Sequence, residues 1–320
     1  MIITIEDIRQ ARKRLEGIAV RTPLIACPGA GEGEKVWFKP ESLQRTGSFK
    51  LRGAYNKIAA LLEQGPIEGV IAYSSGNHAQ GTAAAAQMQG IKATIVMPSN
   101  APKVKIDGTR SYGAEVVLYD PATQRREEVA AKIQAERGYT LVPPFNDLYI
   151  MAGQGTAGLE IAEDLPEVEL VLVPVGGGGL ISGISAAIKA SCPKAKVVGI
   201  EPELAADAQA SFKSGKVVEI TPAQANRTIA DGVRTLFVGD LTLAQMKETV
   251  DDVITVTEDE IRDAMRRIVR QVKLVVEPTG ALPFAALLHH RAELPASSRT
   301  VCMISGGNVE PSMLAEILKD

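Results

Sequence analysis

The sequence predicts an α/β protein built on parallel sheet. Short runs rich in β-branched residues alternate with alanine-rich or amphipathic runs, and those short runs are apolar throughout instead of alternating with polar residues. Strands buried on both faces have that pattern, and each interposed helix supplies a right-handed crossover between parallel neighbours. A further observation is that the glycine- and serine-rich turns fall just after strand candidates. Open α/β sheets place their ligands there.

In chain order, MIITIEDIRQARKRL is charged and amphipathic, unlike the basic-then-apolar order of a signal peptide. RTGSFKLRGA (45–54) then sets a Thr46-Gly47 turn ahead of a helical run. Three strand candidates follow, GVIAY (69–73), KATIVMP (92–98) and AEVVLY (114–119), with helical NHAQGTAAAAQMQG (77–90) and REEVAAKIQAERG (126–138) among them. This stretch forms a smaller lobe inserted in the rest. Beyond it, the strands are ELVLVPV (169–175), KVVGIEP (196–202), DVITVT (252–257) and RTVCMIS (299–305). The helices there are AGLEIAEDL (157–165), GISAAIKAS (183–191), EDEIRDAMRRIVRQV (258–272) and GALPFAALLHHRAEL (280–294).

Bulk properties exclude several classes. The chain has 320 residues, 45% hydrophobic and 23% charged, with a net charge of -3. That length supports a large core or two lobes, and the charge offers no basic field for nucleic acid. No apolar run approaches the roughly 18 residues of a membrane span, so no membrane partner and a cytoplasmic location are expected. Cys27, Cys192 and Cys302 lack any CxxC or Cys/His spacing and suggest neither a disulfide framework nor zinc.

Four motifs lie at strand ends or turns. SSGNHAQG (74–81) opens a helix with small residues, so its backbone N–H groups and hydroxyls suit a carboxylate, or simply cap the helix. PVGGGGLISG carries four successive glycines, Gly176 to Gly179, whose backbone can wrap an anion at a helix head. A dinucleotide competes for this loop. Gly177 and Gly179 match two positions of its fingerprint, Ser182 stands at the third, and Glu201 mimics the ribose-binding acid. No GxxxxGK[ST], GxSxG or HExxH is present, which removes P-loop nucleotide, acyl-transfer serine and zinc-protease chemistry. ISGGNVEP places the Ser305 hydroxyl at a strand end, as a turn residue or a partner for a ring nitrogen. Lys50 alone is a surface cation, a helix-start residue or a Schiff-base amine. Together with a phosphate cradle and a carboxylate-binding turn, it suits pyridoxal phosphate, which needs all three.

In this order and spacing, RTGSFKLRGA, SSGNHAQG, AGQGTAGLE, VPVGGGGLISG, ADGV and ISGGNV resemble the fold-type II pyridoxal-phosphate enzymes, namely the serine/threonine dehydratases and serine racemases. The resemblance covers nearly the whole chain and is closest to the serine racemase branch. It implies a two-domain, tryptophan synthase β-like fold, each domain a mostly parallel sheet flanked by helices. Residues 1–68 and 146–320 would form the large cofactor-binding domain and 69–145 the small inserted one, usually in a homodimer. The chain ends soon after the last motif, which implies that the C-terminal regulatory domain of the long biosynthetic threonine dehydratases is absent.

Residue by residue, the resemblance makes Lys50 the Schiff-base lysine and the base that removes the substrate α-proton. Phe49 would lie against the cofactor ring and Asn77 would bond its 3'-oxygen. Gly176, Gly177, Gly178, Gly179 and Leu180 would hold the phosphate, Ser305 would face the pyridine nitrogen, and Ser74, Ser75, Asn77 and His78 would line the substrate-carboxylate site. A serine is a poor proton donor to that nitrogen, so the ring is a weaker electron sink, which suits β-elimination of a β-hydroxy amino acid. Ser75, in SSGNH where threonine dehydratases commonly have SAGNH, would be a second base opposite Lys50. Glu201, the Ala205 carbonyl and Asp207 match the racemase branch's divalent-metal site, whose oxygen donors suit Mg2+, Mn2+ or Ca2+.

The expected activity is thus serine racemase with serine/threonine dehydratase activity, assisted by a divalent cation. The alternatives are an L-threo-3-hydroxyaspartate or threonine ammonia-lyase on the same scaffold and, more remotely, a dinucleotide-dependent oxidoreductase. Phe145 stands where serine racemases often carry an asparagine, with Asn146 beside it, and resembles the dehydratases instead. Thr46, Gln80, Tyr112, Lys273 and Asn308 match positions of a nucleotide-effector site found in animal relatives. Arg126 is a cation able to accept a second substrate carboxylate.

Overall fold

A computed structural model describes residues 1–27, 34–74, 76–101 and 103–319. The strands are β1 (Ile25–Ala26), β2 (Lys35–Pro40), β3 (Val70–Tyr73), β4 (Ala93–Pro98), β5 (Glu115–Tyr119), β6 (Thr140–Leu141), β7 (Leu170–Pro174), β8 (Lys196–Pro202), β9 (Asp252–Val256) and β10 (Arg299–Ile304). They form a six-stranded sheet in the order β1-β2-β10-β7-β8-β9 and a four-stranded sheet in the order β5-β4-β3-β6. Every pairing is parallel except β1 with β2. The predicted class is therefore observed, with a parallel sheet in each of two domains.

The helices are α1 (Ile5–Arg14), α2 (Lys50–Gln64), α3 (Asn77–Met88), α4 (Lys103–Ser111), α5 (Arg126–Arg137), α6 (Leu148–Asp164), α7 (Gly179–Ser191), α8 (Asp207–Ser214), α9 (Pro222–Ala225), α10 (Asp240–Thr249), α11 (Glu258–Arg267), α12 (Pro278–His289) and α13 (Pro311–Lys319). Local chemistry sets several boundaries. Thr257 and Glu260 form a reciprocal capping box at the start of α11. The Asp147 side chain accepts from Tyr149 and Ile150 N–H groups at the start of α6, and Gly138, at φ 67°, ends α5.

The sequence reading differs from the structure at several points, and it has no counterpart for α4, α8, α9, α10 and α13. Strand β6 adds a fourth member to the small sheet, and β1 and β2 add an antiparallel edge to the large one. EDEIRDAMRRIVRQV is α-helical only to Arg267; a π-turn then covers Ile268–Val272 and ends at Lys273, whose φ is 64°. GALPFAALLHHRAEL leaves the helix after His289.

Two tight approaches lock α2, α6 and α7 together. Helix α2 turns Leu51, Ala54 and Ile58 into the core of the four-stranded sheet, against Val70, Ala83 and Ile95. Its other side meets α6 almost backbone to backbone. A Cβ at Gly153 would stand 2.6 Å from the Arg52 carbonyl oxygen and 2.7 Å from Gly53 Cα. Helix α6 meets α7 as closely, since a Cβ at Gly183 would collide with the Met151 carbonyl and the Gly155 nitrogen.

Gly153→Ala should therefore force α2 off α6 and lower stability by about 1–3 kcal/mol, the usual cost of overpacking. Urea unfolding would show a lower midpoint at unchanged slope. An unchanged midpoint would mean that the two helices separate freely.

Candidate active site

Lys50 is the first residue of α2, preceded by a segment docked on the end of β10. Ser48 and Gly306 form an isolated antiparallel bridge, and the Phe49 N–H donates to the Ser305 carbonyl at 3.1 Å. The Lys50 amine donates to the Pro144 carbonyl at 2.9 Å and lies 5.1 Å from the Phe49 ring centroid. Burial pulls its pKa down from the ordinary lysine value to about 8, with the Glu277 carboxyl acting the other way. The Ser48 and Ser305 hydroxyls beside it are buried and have no hydrogen-bond partner among the described residues.

Asn77 opens α3 directly across from this segment. Its Nδ2 donates to both Glu277 oxygens, at 2.8 and 3.1 Å, and its Oδ1 accepts from Asn308 Nδ2 at 2.8 Å. Asn308 also donates to the Thr46 carbonyl at 2.9 Å, so residues from both domains close around Lys50. Glu277 is 3% exposed, and burial together with the Asp231 charge pushes its pKa up to about 7. Nothing in the sequence pointed to it. The following Pro278 and the helix start mark it only as a cap position. Next to Asn77, His78 donates from Nε2 to the Val142 carbonyl at 2.9 Å, and its buried Nδ1 has no partner among the described residues. Burial first, then the Lys50 charge, hold it down to about 3, so it is neutral in ordinary buffers. Ser74 accepts from the Gly76 N–H at 3.2 Å, while Ser75 lies outside the described residues.

The glycine loop lies at the end of β7 and the head of α7. Gly178 is the N-cap residue at φ 87°, a left-handed conformation that favours glycine, and no side chain caps the helix. The loop also has to be bare, because a Cβ at Gly177 would collide with the Phe145 ring and one at Gly176 would sit 3.0 Å from Val233 Cα. Leu180 is buried in the first turn. Thr242 pins the loop from outside, donating to the Gly177 carbonyl at 2.7 Å. Since Phe145 follows Pro144, the same segment contacts both the Lys50 amine and the cradle. A bare, uncapped helix head, an unpartnered Ser305 hydroxyl and a weakly basic lysine fit a phosphorylated pyridine aldehyde.

Glu201 and Asp207 come together at the end of β8, both 0% exposed. Glu201 accepts from the Ala208 and Gln209 N–H groups, each at 2.9 Å, and so caps α8. That removes it as a ribose-facing acid, and with it the dinucleotide expectation. Both Asp207 oxygens are buried and accept no hydrogen bond from any donor among the described residues. Burial pushes Asp207 up to about 7; burial and the Asp207 charge raise Glu201 well above the carboxylate range. Ala205 is buried in the intervening 3-10 turn, and among the described residues no third acidic, histidine or cysteine side chain joins the pair.

The remaining expected residues are dispersed. Thr46 and Asn308 touch each other beside Asn77, whereas Lys273 is exposed and donates to the Arg270 carbonyl. Gln80 lies over Gly108 of α4, and Tyr112 packs on the four-stranded sheet's core. Arg126 stacks over the Tyr73 ring at 5.4 Å, next to Ser74.

Fold and site thus define a two-domain α/β enzyme architecture in which one segment, Pro144–Phe145, contacts both a buried amine and a bare glycine loop. The chain belongs to the family described as pyridoxal-phosphate dependent enzyme, whose sequence model matches residues 15–306. It is 46% identical over 320 residues to an L-threonine ammonia-lyase of Thermotoga maritima, covering 99% of this chain and 78% of that protein. An L-threo-3-hydroxyaspartate ammonia-lyase from a Pseudomonas species is 42% identical over 316 residues, covering 98% of each. Among solved structures, maize serine racemase superposes with a TM-score of 0.93 at 39% identity, covering 100% of this chain and 98% of that one.

The amine should titrate accordingly. In cofactor-free protein, reductive methylation of Lys50 followed by peptide mass spectrometry should be half-maximal near pH 8, because the neutral form reacts and the amine is neutral above that value. A midpoint at the ordinary lysine value would show that Lys50 is solvated.

Proposed function

We propose that this chain is a pyridoxal-phosphate serine racemase that also eliminates water from serine and threonine, assisted by a divalent cation. The observation that carries the reading is the Lys50 amine, held at a pKa of about 8 and facing the bare glycine loop through the Pro144–Phe145 segment. Pyridoxal phosphate, when bound, supplies the electron sink that acidifies the substrate's Cα–H. The rest is done by side chains. Gly176 to Gly179 and Leu180 would hold the phosphate by backbone N–H, with Ser305 for the pyridine nitrogen, Phe49 for the ring face and Asn77 for the 3'-oxygen. Ser74, Asn77 and His78 would bind the substrate carboxylate, His78 through its backbone N–H at the start of α3, because its neutral ring gives its one N–H to the Val142 carbonyl.

Proton movement separates the two activities. Lys50 would take the α-proton on one face, and that proton can pass to the departing β-hydroxyl, which leaves as water, so one base serves elimination. Inversion needs a second group on the opposite face, and Ser75 is the candidate. The domain division kept for this reading is 1–68 with 146–320 against 69–145, with α2 packed on both. A homodimer is part of the same reading, as is a weaker one of a nucleotide effector near Thr46 and Asn308.

A cation at Glu201, the Ala205 carbonyl and Asp207 is supported by the two Asp207 oxygens, buried without partners. Carboxylates in that state demand a proton or a metal. At neutral pH, Mg2+, Mn2+ or Ca2+ should raise thermal stability, by about 2.7 kcal/mol at one hundred times the dissociation constant. Asp207→Asn should abolish that rise; a rise that survives the substitution places the cation elsewhere.

The second reading is an ammonia-lyase for L-threonine or L-threo-3-hydroxyaspartate. Phe145 over the glycine loop favours it, and Arg126 on the Tyr73 ring offers a cation for a second carboxylate. The deciding assay gives the enzyme L-serine, D-serine, L-threonine and L-threo-3-hydroxyaspartate, with and without EDTA, and follows keto acid and chirality together. Expected are D-serine from L-serine, an absorption band near about 410–420 nm that borohydride removes with the label on Lys50, and loss of racemisation but not of L-serine elimination in Ser75→Ala. If no D-serine forms and Ser75→Ala changes nothing, the racemase reading is wrong and the ammonia-lyase stands.

A further inference from the structure

Four charged side chains form a buried cluster that the proposed reaction does not use. Arg52 is 1% exposed and donates to Glu41 through Nε at 2.7 Å and Nη2 at 2.8 Å. It donates to Glu160 through Nη1 at 2.7 Å and Nη2 at 3.0 Å, and to Thr156 Oγ1 at 3.1 Å. Lys39 is fully buried and gives its Nζ to Glu160 at 2.6 Å and to the Thr22 carbonyl at 2.5 Å. Thr22 Oγ1 completes the ring, donating to Glu41 at 2.8 Å. Two cations balance two anions.

Such a cluster adds little to stability, because well-packed apolar residues in its place are commonly as stable or more so. Directed, bidentate bonds confer one arrangement instead of many. Their placement shows which arrangement. Lys39 lies in β2 of the six-stranded sheet, Glu41 opens the 3-10 turn that follows that strand, and Glu160 lies on α6. Arg52 lies in the first turn of α2, two residues after Lys50, while Leu51, Ala54 and Ile58 of that helix face the four-stranded sheet. The glycine loop follows β7 and Ser305 follows β10, both strands of the six-stranded sheet.

We propose that Arg52 is a positioning residue for Lys50: it fastens the first turn of α2 to the six-stranded sheet, so that the amine keeps its place relative to the glycine loop and Ser305. The inference rests on the reading of Lys50 as the cofactor-bound amine. Arg52→Met would strand two buried carboxylates on one lysine and risks unfolding, so two other variants test it. Arg52→Lys keeps the charge and loses the fork; Arg52→Gln with Glu41→Gln removes one charge of each sign and leaves Lys39 paired with Glu160.

Both variants should fold. Each should lose about 10- to 100-fold in kcat with KM within about twofold, as expected for a misplaced reactive group. In cofactor-free protein, the pH of half-maximal Lys50 methylation should rise from about 8 towards the ordinary lysine value as the amine loosens into solvent. A role confined to stability would lower the unfolding midpoint and leave that pH unchanged. Unchanged kcat and unchanged methylation pH in folded variants overturn the proposal, as does failure of both variants to fold, which would assign the cluster to the fold itself. Lys50→Ala serves as the separate control. If it keeps turnover and the absorption band, the reading of Lys50 has failed, and not the role of Arg52.

Discussion

The geometry of the site depends on three helices meeting with their backbones almost in contact. Between α2 and α6 the gap is closed at Gly153, where a methyl group would press on the Arg52 carbonyl; between α6 and α7 it is closed at Gly183. Helix α2 begins with Lys50 and α7 begins in the glycine loop. A helix pair separated by side chains can slide or roll by the slack in its rotamers, whereas one seated backbone on backbone has almost none. Amine and cradle are therefore two ends of one rigid stack, with α6 as its middle layer. This gives the AGQGTAGLE segment a physical function, since it supplies the bare surface that both neighbours require.

How far the sequence led can be judged from particular residues. The strands that lead into the glycine loop, Glu201 and Ser305 were visible because they are buried on both faces and therefore uninterrupted by polar residues. The strands that were missed obey no such rule. Two-residue β1 and β6 have no period, and β2 carries Lys39, whose charge looks solvent-facing in sequence yet points into the buried cluster. The membership of Glu277 in the site was illegible for a different reason. Its partner Asn77 lies 200 positions away, and a single acid before a proline carries no local signature.

Phe145 shows how a correct local reading can miss a tertiary consequence. From sequence it was a substitution near the substrate; in the fold its ring lies on Gly177 and stands edge-on to Phe237, 6.4 Å between centroids. The residue before it accepts from the Lys50 amine. One short segment thus shields the amine, which lowers its basicity, and forbids side chains at Gly177 and Gly179, while Val233 and Thr242 crowd Gly176 and Gly178. The choice of four glycines follows from that crowding as much as from any anion.

Buried charge is treated in two opposite ways in this chain, and the contrast separates framework from chemistry. Around Arg52 every charge is matched in number and hydrogen-bonded. Around Lys50 and at Asp207 the groups are left short of partners, and their pKa values move towards the neutral form: the amine down to about 8, Glu277 and Asp207 up to about 7. Thr235 and Glu258 also carry orphaned oxygens, so an unmatched atom is informative only in company. At Lys50 the company is Ser48, Ser305 and the His78 Nδ1, all unpartnered within one site. A fold that balances four charges in one place and leaves these groups unmet in another has the means to satisfy them. The deficit is then best explained as the imprint of a ligand that brings its own acceptors and donors.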